Sequence, residues 1–303
     1  MTYSIVARDS KTKGFGVAVQ SHAFSVGSIV SWARAGVGAV ATQATAELSY
    51  GPLGLELMSA GRSASESLQA LLRADKKAEV RQVSFVDANG KVATHTGKKC
   101  IPYAGHTLGK GVSCQGNIMR NESVWGAMRR AYETSRATFA ERLLDALDAG
   151  EEAGGDFRGK QSAAILIVSG KSKPSAWQER LIDLRVEDHH EPLKEIRRLL
   201  KIHRAYESVE EGIRMARAKK MKAARTAYAR GLSLLPGDIE LKFWTGMSLL
   251  DGKDRAAGVR FVREVLAESR NWQVILRRML RAGSVEVDRA VARQLLRGSR
   301  ETT

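Results

Sequence analysis

Thr2–Ser21 reads TYSIVARDSKTKGFGVAVQS, and the parsing of these residues decides the fold. Tyr3, Ile5 and Ala7 alternate with Ser4, Val6 and Arg8, the period of two expected of a half-buried strand. Asp9–Gly14 is a polar turn, after which Phe15, Val17 and Val19 resume the alternation on the way back. A β-hairpin therefore begins at the second residue, with Thr2 on its first rung.

Outward from the hairpin the same grammar continues to about residue 190. Ser28–Ala33 and Gly36–Thr42 are strand-like. Ser49–Ala60 and Ser63–Arg73 are helical, the second opening on a serine and aligning Leu68, Leu71 and Leu72. Val83–Val86 and Val92–His95 flank the hairpin turn Asp87–Gly90. Gly111–Gln115 reads as a strand, Ser123–Ala149 as a long helical region, and Ser162–Val168 and Arg180–Val186 as two further strands. This mixture predicts an α+β domain with largely antiparallel sheets over residues 1–190.

Residues 191–303 carry no strand pattern. Gly212 and Gly246 stand 34 residues apart, as do Ala224 and Gly258, which is the period of the tetratricopeptide repeat. On that pattern Gly212 and Ala224 take the small positions where two helices cross, Tyr228 the aromatic position, and Pro236 ends the second helix. Ser208 and Glu211 depart from the usual tryptophan and leucine. The second copy has Val262 in the aromatic position and lacks the proline. Tandem tetratricopeptide-like helix pairs are the expectation, with a generic helical bundle as the alternative.

Composition narrows the class. A chain of 303 residues with 43% hydrophobic content supports two cored domains. The net charge is +16, with 25 Lys+Arg against 14 Asp+Glu in residues 191–303 and 24 against 19 before them. Such a field attracts anions, whether nucleic acid, lipid headgroups or an acidic protein. Cys100 and Cys114 are expected to be buried thiols of a reducing compartment. No leader pattern precedes the hairpin and no apolar run is long enough to cross a bilayer, so a soluble cytoplasmic protein that binds no membrane is expected.

Several motifs fail on their chemistry. Gly36–Ala41 has G-x-G-x-x-A spacing, yet it reads as a strand where a dinucleotide fingerprint needs a helix to open. Gly105–Gly111 lacks the glycine spacing and the hydroxyl of a phosphate loop and is read as a turn. Asp188–Glu191 crowds potential ligands onto adjacent residues that rarely converge on one ion. Lys219–Lys222 reads as a solvated bend, with few stacking aromatics for nucleic acid. No cofactor or metal is expected, and no Ser/His/Asp triad or paired-carboxylate spacing occurs.

The terminus itself remains. A small residue at position 2 permits removal of Met1, which would leave Thr2 with a hydroxyl and a free α-amine. That amine has a reference pKa of about 7.7–8.0, so it can serve as general base for its own hydroxyl in amide cleavage through an acyl intermediate. The stretches TYSIVARD (2–9), GFGVAVQS (14–21), WARAGVGAVATQA (32–44), SYGPLGLELM (49–58), GKKCIPYAGH (97–106), QGNIM (115–119) and GDFRGKQSAA (155–164) resemble the bacterial family catalogued as domain of unknown function 1028. The resemblance covers roughly residues 2–202, and that family is regarded as related to the N-terminal nucleophile (Ntn) hydrolases. It implies a four-layer αββα sandwich of two antiparallel sheets, and only a predicted amidohydrolase activity.

Carried onto this sequence, the resemblance makes Thr2 nucleophile and base. The second strand returns Gln20, Ser21 and His22 beside it. The Thr42–Ala44 turn, at Gln43, stands where such enzymes place a backbone oxyanion donor, and Asn117 is a side-chain candidate for that task or for positioning Thr2. Ser21 and Gln115 are expected substrate contacts. No lysine lies between Lys13 and Lys76, so the tuning cation of proteasome-like enzymes is missing, and His22 or Arg34 would have to substitute. Each of these residues also has a plain structural role open to it. The leading expectation is an Ntn amidohydrolase acting on a small-molecule or short-peptide amide. Its helical repeats would bind an acidic protein partner or an anionic ligand, and a homo-oligomer is expected. A non-catalytic oligomeric scaffold is the alternative, and nucleic-acid binding ranks last.

Overall fold

The computed structural model describes residues 2–172, 175, 178–250, 254–285 and 287–296; Met1, whose removal the small second residue permits, lies outside them. The chain divides into two compact units between Arg198 and Leu199.

The first unit holds, in chain order, β1 (Thr2–Arg8), β2 (Phe15–Ser21), a single helical turn α1 (Gly27–Val30), β3 (Ser31–Arg34) and β4 (Gly38–Ala44). Then follow α2 (Tyr50–Ser59), α3 (Ala64–Ala74), β5 (Arg81–Asp87), β6 (Val92–Thr96), β7 (Gly105–Gly109) and β8 (Val112–Asn117). The helices α4 (Val124–Thr134) and α5 (Phe139–Glu152) and the strands β9 (Ser162–Val168) and β10 (Arg180–Val186) complete it. Six strands form one sheet in the order β10-β9-β2-β1-β8-β7, and four form a second in the order β3-β4-β5-β6. Every pairing is antiparallel.

The opening hairpin forms because its turn satisfies itself. Asp9 Oδ2 accepts from both the N–H and the hydroxyl of Thr12 at 2.8 Å, and Lys13 takes a left-handed φ of 63°. Val6, Phe15, Val17 and Val19 then meet Ala39, Ala41 and Val86 of the second sheet in an apolar core between the sheets. On the outer face of the larger sheet, α5 lies against β1 and β2 and α4 against β7 and β8. A Cβ on Gly16 would stand 2.6 Å from Leu143 of α5, so only glycine lets the helix approach. On the outer face of the smaller sheet, α2 and α3 bury Tyr50, Leu55, Met58 and Leu68 against Val40, Val83 and Phe85. Both faces of β1 are therefore covered, where its alternation predicted one wet face.

Three local expectations are corrected. The stretch predicted as a strand at Ser28–Ala33 starts with a helical turn, because Ser28 Oγ donates to the Ser25 carbonyl at 2.7 Å and outcompetes the ladder. Gly105–Gly109, read as a turn, is edge strand β7 and joins β8 through Gly111 at φ 70°. The helical region 123–149 breaks in two at Thr138, which forms a capping box with Glu141 and starts α5.

The division between the units falls within α6 (Pro192–Arg217). Near its start, Arg197 donates to Asp148 at 2.6 Å and to Asp145 at 2.8 Å. The second unit continues with α7 (Met221–Leu234), α8 (Ile239–Leu249), α9 (Arg255–Glu268), α10 (Arg270–Ala282) and α11 (Arg289–Leu296). The glycines spaced at 34 residues lie where helices touch. A Cβ on Gly212 would sit 2.4 Å from the Tyr228 ring, and one on Gly258 2.7 Å from the Gly246 carbonyl oxygen. Helix α7 ends two residues short of Pro236, and Asp238 caps α8 by accepting from Leu241 N at 2.9 Å. No helix among the described residues is long and apolar enough to cross a membrane.

Gly212→Ala is expected to cost about 1–3 kcal/mol by overpacking. Gly237→Ala, whose added methyl meets nothing within 4 Å, should leave stability unchanged or slightly raised. Urea unfolding of the two full-length variants separates these outcomes.

Candidate functional site

The register alone assembles a polar row across the larger sheet. Thr2 pairs with Asn117. The Tyr3–Gln20 pairing sets Thr2 opposite Ser21, and Ser21 pairs with Ser162. Across the gap, Gln43 pairs with Gln82 and Gln82 with Thr96. The two rows face each other between the sheets, and Thr2, Gln43, Gln82 and Asn117 are all buried.

Buried amides need partners, and here they find one another. Gln43 Nε2 donates to the Thr2 carbonyl at 2.9 Å and to Gln82 Oε1 at 2.8 Å. Asn117 Nδ2 donates to the same two oxygens, at 3.3 and 2.9 Å. A primary amide has two N–H bonds, so both side chains are fully spent. They clamp the Thr2 backbone from opposite sheets and keep no proton for a substrate oxyanion. Gln82 orients both clamps through one oxygen, and its own amide turns to the Gly116 carbonyl at 2.8 Å. Thr2 Oγ1 stays outside the clamp and donates to Ser21 Oγ at 3.1 Å.

A second rung continues the network. Ser4 Oγ donates to Gln43 Oε1 at 2.6 Å. Gln115 Nε2 reaches Ser4 Oγ at 3.2 Å and the Ala41 carbonyl at 3.1 Å, while Ser84 donates to Gln115 Oε1 at 2.8 Å. Gln115 is therefore engaged one rung behind Thr2. Sequence reasoning missed Gln82 and Ser84. Their signal was present in the alternation Gln82–Val83–Ser84–Phe85, which places polar groups on one strand face.

His22 follows Ser21, the residue opposite Thr2. Its N–H donates to Asp156 Oδ2 at 3.1 Å, and its ring Nδ1 lies 3.3 Å from the Lys160 carbonyl, so the segment before β9 holds it. Arg34 is farther away. It pairs with Gly38 at the opposite end of β4 from Gln43, roughly 17 Å along the strand. The buried cation at the Thr2 end is Arg81, which sequence reasoning also missed. Its guanidinium donates to Asp75 at 2.8 Å and to the Thr45 carbonyl at 2.7 Å, fixing the loop after β4.

Among the described residues no group of three or more His, Cys, Asp or Glu could hold a metal. Cys114 is a buried free thiol whose pKa is pushed up by that burial. Asp75 is held below the usual carboxylate range, chiefly by its hydrogen bond from Arg81. A carboxyl depressed in the folded state stabilises at neutral pH, and that stabilisation drains away as pH falls from roughly 4 through the folded value. Asp75→Asn is therefore expected to flatten the acid limb of stability, read as urea midpoints between neutral and acid pH.

A family model described as a family of unknown function, DUF1028, matches residues 2–196. The crystal structure of a protein from Silicibacter pomeroyi carrying the same family description is similar to this chain at 28% identity. The match has a TM-score of 0.60 and covers 66% of this chain and 88% of that one. No curated protein matches the chain.

Proposed function

The chain belongs to DUF1028, and from that premise we propose that its first unit is an αββα amidohydrolase of the Ntn type. The observation that carries this reading is the seat of Thr2. It heads a central strand between two sheets, its carbonyl is fixed from both sides, and its hydroxyl lies outside the clamp. Once the Met1–Thr2 bond is cut, the free α-amine takes the hydroxyl proton as Oγ1 attacks the substrate carbonyl. The same amine returns that proton to the departing amine, and water then hydrolyses the ester on Thr2. Gln43, Asn117 and Gln82 act as positioning residues. Thr42–Ala44, expected as a turn, is the last stretch of β4, and the oxyanion falls to backbone N–H groups at that strand end, where Ala44 holds a left-handed φ of 66°.

The helical unit is proposed as a tetratricopeptide-like module for an acidic partner or anionic ligand. An open surface hollow of about 710 Å³, lined by Lys219, Lys220 and Lys222 together with the Arg230–Glu211 ion pair, supports this. Intact mass and N-terminal sequencing of the native protein test the enzymatic reading. A Thr2 start and a covalent β-lactone adduct on that residue are expected, and a retained Met1 would remove the mechanism. The spent amides of Gln43 and Asn117 favour a second reading, a non-catalytic scaffold, which predicts no adduct at all.

A further inference from the structure

Seven loops gather at the end of the sheets where Thr2 lies. The strand directions require it: β2, β4, β6, β8 and β10 finish there, and β5, β7 and β9 begin there. The five most exposed large apolar side chains among the described residues all stand on these loops. Phe24 follows β2, Leu48 follows β4, Ile101 and Tyr103 precede β7, and Phe157 precedes β9. Phe24 is 67% exposed and Phe157 61%. Apolar side chains scattered singly need no explanation, but their gathering on the loops at the end of the sheets where Thr2 lies does.

The loops are tied into one arc. Met119 N donates to the Tyr103 carbonyl and Phe157 N to the Ile118 carbonyl, both at 3.1 Å. Asp156 accepts from His22 N–H, which links the Phe157 and Phe24 loops. On the other flank, Arg81 holds the Thr45 carbonyl, and its own carbonyl accepts from Gly97 N at 2.9 Å, joining the Leu48 and Ile101 loops. Backbone strain collects in the same place. Ser25, Ala44, Tyr103 and Ile118 take φ values of 53°, 66°, 55° and 54°, and a β-branched residue such as Ile118 adopts that region only under constraint. Such strain persists where surrounding contacts over-determine the backbone, as they do around binding sites.

We propose that the substrate of the Thr2 site is an amide bearing an aryl or branched alkyl group, which seats on the rim formed by Phe24, Leu48, Ile101, Tyr103 and Phe157. This inference rests on the reading of Thr2 as nucleophile. Two β-lactones, β-propiolactone and a phenyl-substituted analogue, test it on the full-length protein with its native terminus. In each, Oγ1 attacks the lactone carbonyl, the ring C–O bond breaks, and the released alkoxide takes the hydroxyl proton. The adduct therefore adds the whole lactone mass. After division by each lactone's rate with free threonine, the phenyl probe is expected to acylate Thr2 at least about ten-fold faster. Phe157→Ser and Phe24→Ser, exposed positions on separate loops, should each pull that ratio toward one. Leu181→Ser, an exposed apolar site at the far end of the sheets, should leave it unchanged. Equal labelling of Thr2 by both probes, or rim variants that keep the ratio, would overturn the apolar substrate and leave the nucleophile standing. Absence of any adduct on a Thr2 terminus would overturn both.

Discussion

Thr2→Ala is expected to abolish turnover and covalent labelling, a loss of at least about a thousand-fold, while the fold survives. The separation follows from which atoms of Thr2 are held. Gln43 and Asn117 grip its backbone carbonyl, and alanine keeps that group. Only the Oγ1 bond to Ser21 disappears, worth about 1 kcal/mol of stability. Thr2→Ser retains hydroxyl and amine and should keep a measurable share of the rate, set by how well the smaller side chain holds its rotamer. Amide hydrolysis and intact-mass labelling are read beside urea midpoints for all three proteins. Full labelling of Thr2→Ala on some other residue would sink the mechanism.

Gln82→Leu should be the most damaging substitution for stability in the site, at roughly 2–5 kcal/mol. Its Oε1 is the shared acceptor of two buried amides, so leucine leaves a buried N–H on each of Gln43 and Asn117 without that partner. Leucine also removes the contact with the Gly116 carbonyl. Replacing Gln43, Gln82 and Asn117 together by leucine should cost less than the three single losses added, because the orphaned groups vanish with their partners. Urea unfolding of the singles and the triple checks this, and simple additivity would mean that the three side chains do not act as one network.

The sequence was most legible where one stretch contained its own cause. Asp9, Thr12 and Gly14 announce the first hairpin, and the apolar run Ser162–Val168 is a strand to its last residue. It was least legible where meaning depends on a distant partner. Alternation in Ser4, Ser84 and Gln115 reads as a wet face, yet these groups are buried against one another between two sheets. A period of two says that two faces differ; it does not say which one meets water. The same blindness hid Gln82, whose importance comes from Gln43 and Asn117, residues 39 and 35 positions away. It also hid what holds His22, since Asp156 and Lys160 lie far downstream.

The strand order has a consequence for biosynthesis. The hairpin emerges from the ribosome before the two strands that flank it, β8 on one side and β9 on the other, although it lies at the middle of its sheet. The β1 edge stays unpaired until Asn117 has been added, and the β2 edge until Val168. At translation rates of roughly 5–20 residues per second, that leaves an open template for on the order of ten seconds. A nascent chain of this topology therefore needs cover during synthesis, and stalling between β2 and β9 is the moment at which aggregation threatens it most.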